Sequence, residues 1–429
     1  MEREKQLTET DKSQFKANGN QAKILQSLES DDVRAYFDDA MENQLVLNMG
    51  PQHPATHGVL RLLVSLDGET VVKVVPDVGY LHRGYEKLAE NMTYHEFIPH
   101  TDRLDYLSPP ANNVAYTMAV EKLLKIEAPP RAQYIRTICC ELARIASHLV
   151  WIGSMAMDVG ALTVFLWGFR EREKILDILD VLTGVRFTTS YTRVGGVALD
   201  ISDEAISRIK KFLGEFEQNL KDCRDLIERN RIFINRCENI GTISKEDALA
   251  IGLTGPILRA SGVERDLRKD EPYLVYKEID FEIPTQTEGD TLARYYVRVR
   301  EMYESRKIIL QCLEKLPAGP IDAHNTKQVL PKKEKVYSKM EELINDFMIV
   351  NFGNMPEKGA ESYFAIEASK GELGFYIISN GTGYPFRLKI RSPSFSNIQS
   401  LPIMMKGCLI SDIVAIIGGL DPVMGECDK

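Results

Sequence analysis

ASHLVWIGSMAMDVGALTVFLWGF, residues Ala146 to Phe169, is the part of the chain closest in character to a membrane span. It is long enough to cross a bilayer, but His148 and Asp158 interrupt it. The run is therefore expected to be a buried core helix, and no transmembrane segment is expected. Its two polar residues then need partners. A buried, unpaired carboxylate costs several kcal/mol, so Asp158 must meet a cation, a donor or a proton. Histidine is a suitable partner, because the carboxylate orients one ring nitrogen and leaves the other free to donate a proton. The alternative is structural: Asp158 caps or bridges helices.

The flanks of this run extend the helical reading. Apolar residues recur at spacings of three and four in Asn113–Ile126, Tyr134–Met157 and Ala161–Leu182. Ile201–Asn230 is a further, strongly charged helix, and Thr291–Leu316 another, whereas Arg259–Pro284 is polar and loop-rich. Strand signals occupy the two ends. Leu45–Asn48, Val59–Leu66 and Thr70–Val75 are expected to pair, with Asp67-Gly68 as a hairpin turn. Tyr363–Ala368, Gly374–Ser379 and Phe386–Arg391 alternate apolar and polar around turns at Lys370-Gly371 and Asn380-Gly381, as in an antiparallel meander. Cys408–Ile417 is expected to be a short apolar helix. The fold class is thus α+β, mainly α: a helical bundle with small N- and C-terminal antiparallel sheets. Residues 1–44 form a polar extension, mobile or wrapped on a partner. Residues 45–429 form the main domain, with a sheet over 45–80, a bundle over 84–320, and a meander and tail over 360–429.

Composition narrows the function. Of 429 residues, 44% are hydrophobic and 27% charged, which is ordinary for a globular protein. A net charge of −9 disfavours nucleic acid, whose phosphates need clustered Lys and Arg. The seven cysteines form no CxxC and read as reduced thiols. No apolar signal core is present near Met1. There is also no Walker loop and no GxGxxG after a strand, so neither a nucleoside triphosphate nor NAD is expected on this chain.

Candidate chemistry gathers between His53 and Asp158. The stretch GPQHPATHG (50–58) carries His53 and His57 four residues apart. Two histidines at that spacing hold a metal when a helix puts them on one face, but Pro54 and the glycines favour a shaped loop presenting one imidazole. His57, beside Gly58, is the better candidate; a turn histidine bonded to backbone and a zinc site at His53 and His57 are the alternatives. Tyr106, in HTDRLDYLSPP (100–110), has a phenol that can donate a hydrogen bond or a proton to a carbonyl; an interface tyrosine is the plain alternative. Arg83, before Gly84, could face a charged cofactor or make a surface ion pair.

Taken together, GPQHPATHG, DVGYLHRGYEK, HTDRLDY, MDVGAL with FREREK (157–174), LTGPILRASG (253–262), RSPSFSNIQSLP (391–402) and AIIGGLDPVMGECDK closely resemble one family. It is the 49 kDa, or D-type, subunit family of respiratory complex I, the proton-translocating NADH:quinone oxidoreductase. The resemblance runs from about residue 45 to the end. It implies the fold of the NiFe-hydrogenase large subunit. It also implies a quinone site in which His57 and Tyr106 hydrogen-bond the quinone carbonyls and Asp158 pairs with His57. Arg83 would lie beside an iron–sulfur cluster held by a partner. Further implications are that partner subunits carry FMN and the clusters, that the B-, C-, H- and I-type subunits are neighbours, and that the chain is peripheral on the cytoplasmic side of the inner membrane.

Two departures bear on chemistry. Hydrogenases hold their metals with Arg-x-Cys-Gly-x-Cys and Asp-Pro-Cys-x-x-Cys. Here Asp105, Ser108, Val423 and Glu426 stand at the four cysteine positions, with Cys427 one residue out. Without those thiolates no soft-metal site, and no hydrogenase activity, is expected. Many relatives carry a histidine after the Arg-Phe pair at 186–187; Thr188 stands there, so no redox-linked proton is assigned to that position. A hydrogenase-like large chain and a pure docking scaffold are the competing readings.

Overall fold

The computed structural model describes residues 44–323 and 327–429; the expected extension over residues 1–44 lies, apart from Gln44, outside them. The N-terminal sheet is antiparallel in the order β1 (Leu45–Met49), β2 (Arg61–Asp67), β3 (Thr70–Asp77). Asp67 pairs with Thr70, so the tight turn is Gly68–Glu69, one residue later than the sequence suggests.

The bundle follows. It comprises α1 (Pro109–Leu124), α2 (Pro130–Asp158), α3 (Leu162–Thr183), α4 (Asp203–Ile227) and α5 (Thr291–Glu314). The run Ala146–Phe169 is not one helix. It breaks after Asp158, turns through Gly160 at φ 92° and restarts at Leu162. Glycine reaches that conformation without a Cβ penalty, which is why the apolar run can end where its pattern does not. Asp158 is therefore a helix terminus rather than a mid-helix residue. α2 is long and apolar enough to cross a membrane, and 89% of its apolar window is buried in the protein. Side-chain caps at Ser202 for α4 and Asp290 for α5 satisfy first-turn amides. The stretch Arg259–Pro284 is less loose than its polarity suggests: short helices at Pro256–Ala260 and Leu267–Asp270 bury Arg259 and Arg268.

A helix without a sequence expectation, α6 (Met340–Phe352), precedes the C-terminal meander of β4 (Glu361–Ala368), β5 (Gly371–Ser379) and β6 (Pro385–Arg391). Ala368 pairs with Gly371, so Ser369 and Lys370 form the hairpin tip. This meander covers α1, with Phe375 edge-on to Tyr116 and Ser362 bonded to the carbonyl of Ala119. The apolar helix near the end is α7 (Ile413–Leu420), starting later than Cys408. Its C-terminal carbonyls are used: Trp151 donates to Gly418, and Arg298 donates to Gly419 and Leu420. One core cluster joins the bundle to the meander; a second joins the N-terminal sheet to α7 and the tail.

Candidate functional site

The His57 loop is built by its glycines. A Cβ on Gly50 would lie 2.1 Å from the carbonyl oxygen of Leu60, so only glycine fits there. Pro54–Thr56 form one 3-10 turn, closed by Thr56 Oγ1 on the His53 carbonyl. His57 follows at φ 49°, in the left-handed region that few non-glycine residues occupy. Its Nε2 lies 3.0 Å from Oδ2 of Asp158, with 13% and 12% of the two side chains exposed. A carboxylate at a helix C-terminus faces the negative end of the helix dipole. Asp158 sits at that end of α2, so an imidazole N–H is a fitting partner. α7 closes over the pair: a Cβ on Gly418 would lie 3.3 Å from Oδ2 of Asp158 and 3.8 Å from Nε2 of His57.

His53 is exposed, and its backbone bridges to Gly58. Among the described residues, no group of three or more His, Cys, Asp or Glu side chains is arranged to hold a metal ion.

Tyr106 is half-buried, and its hydroxyl makes no hydrogen bond among the described residues. Burial, followed by the carboxylates of Asp105, Asp421 and Glu426, pushes the phenol up to about 12, so it is a firm proton holder and a free donor. The buried tail brings it near the His57 loop. A Cβ on Gly425 would be 3.4 Å from the Tyr106 ring, and one on Gly58 would be 3.7 Å from Met424. Gly58, next to His57, and Tyr106 thus flank consecutive tail residues.

Arg83 is exposed. Its guanidinium lies 4.7 Å over the Tyr85 ring and donates to the carbonyl of Arg103 at 3.2 Å. The tail holds this segment too: Asp428 accepts from the amides of Gly79 and Leu81, and its carbonyl meets Nδ1 of His82. Thr188 lies beyond Arg186, which is exposed and tied to Glu173 and Asp177.

Sequence reasoning missed two groups. Lys370, at the tip of the meander hairpin, is buried and bonded to Asp421. An ionic network inside the bundle joins Glu141, Arg144, His148, Arg259, Asp266, Arg268, Glu301 and Glu367. The available signal was Glu141 and Arg144 one turn apart on a helix whose neighbouring residues are mostly apolar. Lys370 carried no such signal, since a lysine in a turn is ordinarily solvated.

Comparison with known proteins places this chain in a family. The sequence profile described as respiratory-chain NADH dehydrogenase, 49 Kd subunit, matches residues 158–429. A D-type subunit of NADH-quinone oxidoreductase from Chloroherpeton thalassium is 60% identical, over 95% of this chain and 93% of its own length. The D-type subunits of Salinibacter ruber and Methylacidiphilum infernorum are each 55% identical, over 91% and 90% of this chain and 87% and 92% of their own lengths. With a mainly helical α+β fold as well, the chain belongs to the 49 kDa, or D-type, subunit family of NADH-quinone oxidoreductase, and is part of that multi-subunit, membrane-associated complex I.

Proposed function

We propose that this chain forms, with a cluster-bearing partner of the B type, the site where quinone is reduced. His57 and Tyr106 hydrogen-bond the two quinone carbonyls, and Asp158 holds the His57 ring. Arg83 faces the partner's iron–sulfur cluster. The electrons come from NADH by way of flavin and iron–sulfur clusters on other subunits, and the whole complex couples their transfer to proton translocation. Reducing a quinone takes two electrons and two protons, so donors are needed at both carbonyls. The reading is carried by the 3.0 Å His57–Asp158 contact, with a phenol whose hydroxyl is unspent on the other side of the same tail segment. Family membership gives that pair its context. In the same reading, the C-, H- and I-type subunits are neighbours, and the chain is peripheral on the cytoplasmic side of the inner membrane. Residues 1–44 are an extension to the 45–429 domain.

Tyr106→Phe in membranes carrying the assembled complex tests it. NADH:decylubiquinone reduction should fall by about 10²-fold, the scale of a lost general acid. NADH oxidation by ferricyanide, which takes electrons upstream, should hold. If both rates stay at the wild-type level, the site assignment is wrong.

A further inference from the structure

Behind Tyr106 lies a buried cluster of three carboxylates. Asp105 Oδ1 accepts from the amide of Leu107 at 3.0 Å and Oδ2 from Ser369 Oγ at 3.1 Å. Oε1 of Glu426 accepts from the amide of Ser394 at 3.1 Å and from its hydroxyl. Oε2 of Glu426 is fully buried and has no hydrogen-bond partner. Asp421 is bonded to Lys370. Among the described residues, neither Asp105 nor Glu426 forms an ion pair, although both are fully buried.

An ionised carboxylate in that position is costly, and a protonated one costs much less. The charged and titratable groups around Glu426 are Asp105 and Tyr106, Lys370 from the hairpin tip, and Asp421, Cys427 and Lys429 from the tail; Arg298 of α5 stands near Asp421. The tail backbone touches the segment that bears the phenol. A Cβ on Gly425 would lie 2.6 Å from the carbonyl oxygen of Leu104 and 2.9 Å from that of Arg103, and Glu426 is the next residue.

We propose that Asp105 and Glu426 share one buried proton, and that this proton restores Tyr106 after the phenol has given its own to a quinone carbonyl. The inference rests on the quinone-site reading above. No electron moves in the step. The carboxyl O–H bond breaks, the phenol O–H bond re-forms, and the carboxylate left behind is refilled from solvent. The direction is favourable. Burial, then the Asp105 carboxylate, push Glu426 up to about 8, whereas Tyr106 stands at about 12. An acid of the former strength hands its proton to a phenolate of the latter. Glu426 and Asp105 act through Tyr106 and are positioning residues.

The test uses membranes with the assembled complex and the pH profile of NADH:decylubiquinone reduction, with ferricyanide reduction as the upstream control. In the wild type the rate should decline above pH about 8, where the shared proton is lost. Glu426→Gln keeps shape and hydrogen bonds but has no proton to give. It should lower the rate about tenfold at pH 7, flatten the alkaline limb and spare ferricyanide reduction. A wild-type rate and profile overturn the proposal. So does a lowered rate with an unchanged limb, which marks a structural role. If Glu426→Gln abolishes ferricyanide reduction as well, Asp105→Asn carries the same test: a flattened limb supports the proposal, and an unchanged one overturns it. Tyr106→Phe separates the two readings. Lost quinone reduction there, with a wild-type profile in Glu426→Gln, removes only the proton store; unchanged quinone reduction in Tyr106→Phe removes the site itself.

Discussion

Around Arg259, inside the helical bundle, each buried carboxylate meets a cation; around Glu426, under the tail, only Asp421 does. Arg259 is 2.7 Å from both Glu301 and Glu367, and Arg268 is 2.7 Å from Asp266 and 3.2 Å from Glu141. Burial pushes Glu141, Asp266 and Glu301 up, and the surrounding guanidinium groups more than reverse it, holding Asp266 down to about 2. Glu367, which shares Arg259 with two other carboxylates, stays above its ordinary value because burial wins there. Under the tail, hydroxyls and amides replace the guanidinium groups, and Asp105 and Glu426 are both shifted upward by burial. Equal burial thus ends in opposite shifts for Glu141, Asp266 and Glu301 on one side and Asp105 and Glu426 on the other. In the bundle network the guanidinium groups hold three of the four carboxylates in the charged form, whereas the tail cluster has the environment that the proposed proton store needs.

Replacing one carboxylate in each cluster by its amide is the sharpest way to break this contrast. Glu301→Gln takes one of three carboxylates from Arg259 and the charged partner from His148, and should cost about 3–5 kcal/mol, seen as loss of assembled complex from membranes. Glu426→Gln imitates the protonated acid and should cost under about 1 kcal/mol. Equal losses of complex in the two variants would erase the distinction.

A second effect comes from His148. Burial lowers its imidazole from 6.5 to about 4, against the pull of Glu301. The unfolded chain then binds the extra proton first. The contribution is fully present above pH 6.5 and is lost as pH falls towards 4, on the order of 3 kcal/mol. The temperature at which quinone reduction fails should drop across that window, and His148→Gln should make the drop shallower.

Asp158→Asn comes next. It frees the His57 ring without unfolding α2, and should lower quinone reduction by about 10–100-fold while ferricyanide reduction holds. A rate within about twofold of wild type would leave Asp158 with its structural role alone. Arg83→Lys should matter least. The site is exposed and the Tyr85 contact is of the exposed cation–π kind, worth about 0.5–1 kcal/mol, so quinone reduction should fall by less than about fivefold.

The mainly helical bundle with sheets at both ends was legible in the chain itself, because periodicity near 3.6 and near 2 is a local signal. His57 and Asp158 stood out as candidates because a carboxylate in an apolar run and a histidine beside glycine are anomalies visible along the chain; Tyr106 and Arg83 stood out by residue type alone, and their roles are part of the proposal. Folding decided the rest. The apolar run breaks at Gly160, which turns Asp158 from a helix interior residue into a helix end beside His57. The pairing of Ala368 with Gly371 moves the hairpin tip by one residue and carries Lys370 inward to Asp421. Glu426 gains its meaning only from Asp105, far earlier in the chain, and from Ser394. Burial and charge pairing are properties of neighbours in space. Local pattern can show which residues need a partner, but only the folded chain supplies or withholds one.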